Sequence, residues 1–202
     1  MSKQIIFATG NKGKVREIEM IMADAGYEIR TMKEAGISID IVEDGKTYEE
    51  NAMIKVRAVA AHPNAKGCIV MADDSGLEVD ALGKEPGVYS ARYMGEDTPY
   101  SIKNAEIIRR LEGVPDEERT ARFVCAIAAK LPNGQELSTR ATIEGRIGYE
   151  EKGEHGFGYD PIFFYPPFNK HTAELSEEEK NQVSHRGKAL RLMKEKLAKY
   201  GA

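Results

Sequence analysis

The residues near the C-terminus carry the clearest chemical signal in this chain. Phe157 lies between two glycines in the run Gly156-Phe157-Gly158-Tyr159-Asp160-Pro161, and Lys180 and the pair His185-Arg186 follow it. Small neighbours leave an aromatic face open, and such a face can stack on a base. Lysine, histidine and arginine supply donors and positive charge for phosphate or ring oxygens. The pattern indicates a nucleotide site, although Phe157 could also be an ordinary packed aromatic.

A second candidate site lies at the N-terminus, in the run Thr9-Gly10-Asn11-Lys12-Gly13-Lys14. It connects an apolar segment that reads as a buried strand to a segment with helical periodicity. The amides of a first helical turn, the helix dipole and a nearby lysine together form a phosphate cradle. The spacing is not that of a Walker A loop, because no Ser or Thr follows Lys14. A simple glycine-rich turn is the alternative.

The acidic pair Asp73-Asp74, followed by Ser75-Gly76, comes directly after the apolar run 68–72. That run predicts an interior strand whose carboxyl end carries the acids, and in open α/β sheets ligands bind at that end. Adjacent carboxylates repel each other unless a cation or donors compensate, and only one of them can face the ligand from an extended chain. Glu43 is a candidate second carboxylate for Mg²⁺, although other acids fit equally well by spacing. The alternative is a solvated acidic turn.

Four basic residues lie on predicted helices. For Lys55 and Lys180, taken singly, a solvated helix face is the expected location. The pair His185-Arg186 follows a predicted N-cap, Ser184, and so lies in a first turn, where the helix dipole disfavours positive charge. This pair therefore indicates an anionic or carbonyl-rich partner.

Composition limits what these motifs can mean. The chain has 202 residues, of which 41% are hydrophobic and 31% charged, and its formal net charge is -4. These values are typical of one globular domain, here expected to cover residues 1–202, and the negative charge argues against broad nucleic-acid binding. Cys68 and Cys125 lie in apolar runs and are expected to be reduced core residues. No secretion signal or membrane-length apolar run is evident, so we expect a cytoplasmic protein without membrane contact.

The periodicity predicts alternating strands and helices, followed by an antiparallel hairpin and a terminal helix. Asn133-Gly134 is a strong turn signal between two long strands, and its presence makes the predicted sheet mixed. Residues 75–95 are expected to form a loop. The predicted strands cover 4–8, 28–32, 68–72, 120–131 and 135–147, and the predicted helices cover 15–25, a segment from Thr47 to about 61, 98–111 and the C-terminal segment, with capping boxes at Thr47 and Ser176.

Four of these motifs occur in one order along the chain: the loop 9–14, Asp73-Asp74-Ser75-Gly76-Leu77, the run 156–161 and Ser184-His185-Arg186. Together they closely resemble the inosine triphosphate pyrophosphatase family, the Ham1-like group whose bacterial members are XTP/dITP diphosphatases. The resemblance extends over nearly the whole chain. One mild variation is Tyr48, where the family pattern has Phe.

The resemblance implies an elongated mixed β-sheet flanked by helices, with two lobes and a nucleotide cleft between them, in a homodimer. It implies Mg²⁺-dependent hydrolysis of ITP, dITP or XTP to the monophosphate and pyrophosphate. Asp74 would be the general base and a metal ligand, and Glu43 the other metal ligand. The substrate would be bound by Thr9, Gly10, Asn11, Lys12, Gly13, Lys14, Lys55, Ser75 and Lys180, and its base by Phe157, Gly158, Tyr159, Asp160, His185 and Arg186.

Two other functions compete with this interpretation. A Maf-like nucleotide pyrophosphatase performs related chemistry on other bases, but it is not expected to carry the motifs at 156–161 and 184–186. A noncatalytic nucleotide sensor could use the same pocket without turnover. Substrate preference distinguishes a Maf-like enzyme from a member of the Ham1-like group. The presence of reaction products distinguishes an enzyme from a sensor.

Overall fold

The structure is a computed structural model that describes residues 3–201, and these residues form two compact units. Among them, the first unit comprises the residues up to Asp74, Cys125–Ala141 and those from Arg186 onward. The second unit comprises Ser75–Val124 and Thr142–His185.

The strands belong to one mixed sheet. Its order is β2-β1-β3-β4-β5-β6-β7. β1 pairs in parallel with β2 and β3, whereas β6 pairs antiparallel with β5 and β7. The predicted mixed sheet is therefore confirmed. The strands are β1 Lys3–Phe7, β2 Tyr27–Thr31, β3 Ile69–Val79, β4 Thr120–Lys130, β5 Glu136–Ile147, β6 Phe163–Tyr165 and β7 Lys170–His171.

The α-helices flank this sheet, and α1, α2 and α4 begin after residues whose side chains cap them. Asn11 caps α1, and Ser176 forms the predicted capping box with Glu179 at the start of α4. At α2, the side chain of Thr47 accepts from the amide of Glu50 as expected, but the Glu50 carboxylate accepts from the amide of Lys46 instead. The helices are α1 Lys12–Met22, α2 Tyr48–Ala60, α3 Tyr100–Arg110, α4 Glu177–Val183 and α5 His185–Lys199.

The core of the first unit has two layers because side chains of β3 alternate between the faces of the sheet. Ile69 and Met71 pack with side chains of α1 and α5. Val70 and Ala72 pack with side chains of α2. We call these two sides the α1/α5 face and the α2 face.

The core of the second unit combines the end of β3 with α3 and the later strands. Leu77 and Val79 of β3 pack with Ile107 and Leu111 of α3, and Phe163 of β6 joins them. Tyr159 belongs to the same buried cluster.

β3 corrects one prediction, since it runs to Val79 whereas residues from Ser75 onward were expected to be a loop. Two apolar side chains beyond the acids, Leu77 and Val79, are fully buried and hold the strand in place. The parallel pairing with β1 nevertheless ends at Met71. Asp73 and Asp74 therefore follow the carboxyl end of the parallel part of the sheet, although they lie within a strand.

The cysteines differ in environment. Cys125 is buried in the core of the first unit, as expected, whereas Cys68 precedes β3 and is only half-buried, so the prediction was wrong for Cys68. Between residues 3 and 201, no helix combines the length and the apolar character needed to cross a lipid bilayer.

Candidate active site

β3 directs its two adjacent acids to opposite faces of the sheet in the first unit. Asp73 continues the register of Met71 and faces α1 and α5. Its Oδ2 lies 2.9 Å from Nζ of Lys14 and accepts a hydrogen bond from Nε of Arg186 at 3.2 Å. Nη1 of Arg186 also donates to Oε2 of Glu17 at 2.5 Å. The result is a buried ionic network that ties β3 to both helices.

This network keeps Asp73 ionised. Burial alone would raise the pKa of Asp73, but the charges of Lys14 and Arg186 outweigh burial and hold that pKa well below its usual range. Both Asp73 and Arg186 are only 1% exposed. Asp73 therefore acts as a fixed counter-ion, and the Lys14 ammonium is held beside it at the start of α1.

Asp74 continues the register of Ala72 and faces α2. Its Oδ2 accepts a hydrogen bond from Nδ2 of Asn51 at 3.2 Å. Nζ of Lys55, which lies one turn further along α2, is 3.2 Å from Oε2 of Glu43. The predicted exposure of Lys55 is thus corrected, because this lysine is buried and forms an ion pair.

The environment of Asp74 suits proton transfer near neutral pH. Burial raises the pKa of Asp74 to about 6, against the charge of Lys55 and the hydrogen bond from Asn51, and the negative charge of Glu43 adds to the increase. A carboxylate poised in this range can take and release a proton at physiological pH.

The carboxylates of Asp74 and Glu43 have the donor chemistry that Mg²⁺ prefers. Mg²⁺ binds one or two carboxylates and completes its octahedron with waters and substrate phosphates. A buried carboxylate with a raised pKa beside a second carboxylate is a site that a cation would stabilise. The residues therefore fit the ion, even though no group of three or more His, Cys, Asp and Glu side chains comes together within residues 3–201.

In the N-terminal loop, the side chain of Asn11 caps α1. Oδ1 of Asn11 accepts from the amides of Gly13 at 2.9 Å and Lys14 at 3.2 Å, and Oγ1 of Thr9 accepts from the amide of Asn11. These are amides that the sequence analysis assigned to a phosphate. Gly10 and Lys12 are exposed beside them. A phosphate at this position would take the place of the Asn11 carboxamide oxygen.

In the second unit, Asp160 organises the aromatic segment. Its Oδ2 accepts from the amide of Phe157 at 2.9 Å and from Nζ of Lys180 at 2.6 Å, and its Oδ1 accepts from Oγ1 of Thr172 at 2.8 Å. Nζ of Lys180 also lies 4.6 Å from the centroid of the Phe157 ring. Lys180 is buried, which corrects the expectation of an exposed helix face.

Gly156 makes this arrangement possible. Its φ is +74°, and a Cβ at this position would overlap Oδ2 of Asp160. Glycine is therefore required here for both backbone conformation and space. Gly158 also has a positive φ of +65°, so the ring of Phe157 projects from a turn formed by two left-handed residues.

The remaining predicted residues of the second unit have differing surroundings. Tyr159 is buried and its hydroxyl donates to the carbonyl of Ser90 at 2.6 Å. The ring of His185 stacks on Phe123 with centroids 5.0 Å apart. Ser75 is half-buried on β3, directly after Asp74.

His185 and Arg186 were predicted to act together on the base, yet the structure separates their environments. His185 belongs to the second unit and packs on Phe123, whereas Arg186 belongs to the first unit and is enclosed by Asp73 and Glu17. A contact between Arg186 and a base would require these ion pairs to open, and that role stays a prediction.

Sequence reasoning missed several residues of these clusters. Asn51 could have been found, because it lies four residues before Lys55 and therefore on the same face of α2. Glu17 likewise lies one turn after Lys14 on α1, but its pairing with Arg186 could not be predicted, since the two residues are 169 positions apart. Phe123 and Thr172 likewise meet their partners only through the tertiary fold.

Comparison with known proteins identifies close relatives over nearly the full chain. The model of the Ham1 family matches residues 5–196. A protein of Exiguobacterium sibiricum named dITP/XTP pyrophosphatase is 45% identical over 197 residues, which cover 98% of each chain. A protein of the same name from Bacillus subtilis is 44% identical over 195 residues, covering 96% of this chain and 97% of that protein.

Solved structures agree with this comparison. The Ham1 protein of Staphylococcus aureus matches with a TM-score of 0.85 and 39% identity, covering 98% of this chain and all of that chain (100%). A HAM1 protein from Coxiella burnetii matches with a TM-score of 0.86 and 37% identity, covering 98% of this chain and 99% of that chain.

Proposed function

Because this chain belongs to the Ham1 family, we propose that it is a nucleoside triphosphate pyrophosphohydrolase. It hydrolyses purine triphosphates with a non-standard base, namely ITP, dITP and XTP, to the nucleoside monophosphate and pyrophosphate. The observation that carries this proposal is Asp74, a buried carboxylate with a pKa near 6 at the carboxyl end of the parallel strands. The names of the relatives, dITP/XTP pyrophosphatase, support the choice of substrate.

Asp74 is the general base in this reaction. A water attacks the α-phosphorus, its proton passes to the Asp74 carboxylate, and the bond to the bridging oxygen breaks so that pyrophosphate leaves with the electron pair. Lys12 and Lys14 at the start of α1, and Lys55 on α2, offset the negative charge of the triphosphate and of the leaving group.

The proposed cofactor is Mg²⁺, held by Asp74 and Glu43. When bound, the ion neutralises phosphate charge and lowers the pKa of a coordinated water. Lys55 keeps Glu43 in place through its ion pair, so the helix that carries Lys55 also orders the second metal carboxylate.

The second unit binds the purine. Phe157 offers a stacking surface, and Lys180 is fixed beside that surface by Asp160. Donors from Lys180 and His185 directed at a 6-keto oxygen would favour inosine and xanthine, because the amino group of adenine would leave these donors unpaired. The remaining residues of the run, Gly158 and Tyr159, shape the turn.

We further propose that the enzyme is a homodimer and acts in the cytoplasm. The resemblance to the Ham1-like group supports the dimer, and the two free cysteines support a reducing compartment. Sedimentation analysis of the purified protein tests the dimer directly.

The experiment that tests the function is a panel of nucleoside triphosphates, assayed for pyrophosphate and orthophosphate with and without Mg²⁺. We expect pyrophosphate from ITP, dITP and XTP, little turnover of ATP, and no turnover without the metal. Faster hydrolysis of pyrimidine substrates would favour a Maf-like enzyme. Nucleotide binding without release of either product would favour a sensor.

A further inference from the structure

Asn51 connects Asp74 with the loop that contains Glu43. This residue is 1% exposed and lies in the second turn of α2. Its Nδ2 donates to Oδ2 of Asp74 at 3.2 Å, and its Oδ1 accepts from the amide of Gly45 at 2.8 Å. One side chain therefore contacts both the acid on β3 and the loop that contains Glu43.

The chemistry of these two contacts is specific for a carboxamide. A carboxylate at Asp74 needs a donor, and the amide of Gly45 needs an acceptor, so the orientation of the Asn51 carboxamide follows from its neighbours. An aspartate at position 51 would place an acceptor against the Asp74 carboxylate. An alanine would remove both contacts and leave buried polar groups without them.

The loop that contains Glu43 packs directly on this part of α2. A Cβ on Gly45 would lie 2.7 Å from Oδ1 of Asn51, so the backbone of the loop approaches as closely as glycine allows. The next amide, that of Lys46, donates to Oε2 of Glu50 at 2.6 Å. One turn further along the helix, Lys55 forms the ion pair with Glu43.

We propose that Asn51 is a positioning residue that fixes the Asp74 carboxylate relative to the loop containing Glu43. Its carboxamide is hydrogen-bonded both to Asp74 on β3 and to the loop, and it thereby sets the separation of the Asp74 and Glu43 carboxylates before substrate or metal binds. This inference rests on the proposed function in so far as that separation serves the hydrolysis of a triphosphate. Asn51 itself takes no part in the chemical step.

The test compares Asn51→Ala and Asn51→Asp with the unchanged protein. Three quantities are measured: Mn²⁺ affinity without nucleotide, by electron paramagnetic resonance; kcat and KM for dITP at saturating Mg²⁺; and the melting temperature. We expect Asn51→Ala to weaken Mn²⁺ binding about tenfold, since outer contacts of metal ligands typically change affinity by roughly 10- to 100-fold. We expect kcat to fall by about tenfold or more, with a smaller change in KM.

Asn51→Asp separates the two contacts. It keeps an acceptor for the amide of Gly45 but replaces the donor to Asp74 by a negative charge. We expect it to lose kcat at least as severely as Asn51→Ala. If Asn51→Asp keeps the kcat of the unchanged protein, the donor is not needed and the proposal is wrong. This variant also decides the question if Asn51→Ala does not fold.

The matched control is Asn64→Ala in the same unit. Nδ2 of Asn64 donates to the carbonyls of Ala35 at 3.0 Å and Gly36 at 3.1 Å, so Asn64 also holds a loop, but through backbone carbonyls rather than a carboxylate. We expect Asn64→Ala to lower the melting temperature while Mn²⁺ affinity and kcat stay unchanged. If Asn51→Ala shows that same profile, Asn51 has a structural role only and the proposal is overturned.

These measurements separate failure of the inference from failure of the proposed function. If the unchanged protein releases no pyrophosphate from any purine substrate, the proposed function fails, and Mn²⁺ affinity then decides the role of Asn51 alone. If the unchanged protein binds no Mn²⁺ at millimolar concentration, Asp74 and Glu43 are not arranged for a cation and the proposal also fails.

Discussion

Buried aspartates lie near lysines in both units, and Asp160 of the second unit is held differently from Asp74 of the first. In the second unit, Asp160 accepts an ammonium, an amide and a hydroxyl donor at once, with Lys180 in direct contact at 2.6 Å. In the first unit, the ammonium of Lys55 contacts Glu43, while burial raises the pKa of Asp74 to about 6. The comparison shows that buried acids of one chain can differ in the donors around them, and this difference separates Asp160 from the acid that we propose as general base.

Asp73 and Asp74 show a similar contrast within one strand, β3. The two acids are direct neighbours, and burial affects both, yet Lys14 and Arg186 hold the pKa of Asp73 far below that of Asp74. Alternation along β3 is the cause, since it directs one acid to the α1/α5 face and the other to the α2 face.

The largest effect is expected for Asp74→Asn. The variant keeps a carbonyl that can accept from Asn51, but it can neither take a proton nor bind a cation with full charge. Turnover of dITP should fall about 10³-fold, as is usual for a lost general base, while nucleotide binding persists. Pyrophosphate release and calorimetric binding measure the two properties. Activity within tenfold of the unchanged protein would show that Asp74 is not the general base.

Asp73→Asn tests whether Asp73 is a structural counter-ion. Removal of this counter-ion leaves the buried Arg186 and the half-buried Lys14 with reduced compensation, so the free energy of unfolding should fall by about 3 kcal/mol, the scale for breaking a buried ion pair. Urea unfolding followed by circular dichroism measures the change. If this variant is as stable as the unchanged protein, Asp73 is not a stabilising counter-ion.

Gly156→Ala tests the scaffold role of Asp160. The new methyl group would displace the Asp160 carboxylate and, through it, Lys180 and the amide of Phe157. We expect KM for dITP to rise about tenfold, equivalent to about 1.4 kcal/mol of binding, with a smaller change in kcat. The measurement is steady-state kinetics with pyrophosphate detection.

Gly113→Ala is the matched control for that experiment. Gly113 lies in the same unit with a φ of +78°, but a Cβ there would meet nothing within 4 Å. It therefore introduces the same backbone strain, about 1 kcal/mol, without crowding a side chain. If Gly113→Ala raises KM as much as Gly156→Ala, strain alone is responsible and Asp160 has no special role.

The smallest effect is expected at Asp80, a more exposed scaffold acid in the second unit. Hydrogen bonds from Arg122, Lys84 and Thr120 hold the pKa of Asp80 below its usual range. Its contribution to stability is complete above about pH 4 and is lost as the pH falls through the folded-state value. Asp80→Asn should therefore cost less than about 1 kcal/mol at neutral pH, and the difference should shrink in acid. Urea unfolding of Asp80→Asn and of the unchanged protein, at neutral pH and in acid, measures the difference in unfolding free energy under each condition. An equal difference under both conditions would contradict this prediction.

The sequence predicted local elements well because their signals are local. The hairpin at Asn133-Gly134, the capping box at Ser176 and the helix starting after Ser184 each depend on residues within a few positions of one another. The length of β3 was missed because aspartate is rare in strands, and two in succession predict a strand end. Their partners come from distant helices and compensate for that preference.

The site was predictable in its residue types more than in its contacts. Asp74 and Glu43 follow from the chemistry of carboxylates and from resemblance, but the ion pair of Glu43 with Lys55 and the enclosure of Arg186 depend on packing between distant segments. The exposure of a lysine cannot be read from helical position when its counter-ion lies on another element.

The cap of α1 has a consequence for how tightly a triphosphate can be held. The side chain of Asn11 already accepts hydrogen bonds from the amides of Gly13 and Lys14. If the proposed phosphate site uses these two amides, a phosphate oxygen would displace the Asn11 side chain and exchange one pair of amide hydrogen bonds for another. The net gain would then come mainly from charge, so on the proposed function we expect triphosphate affinity to weaken with rising salt.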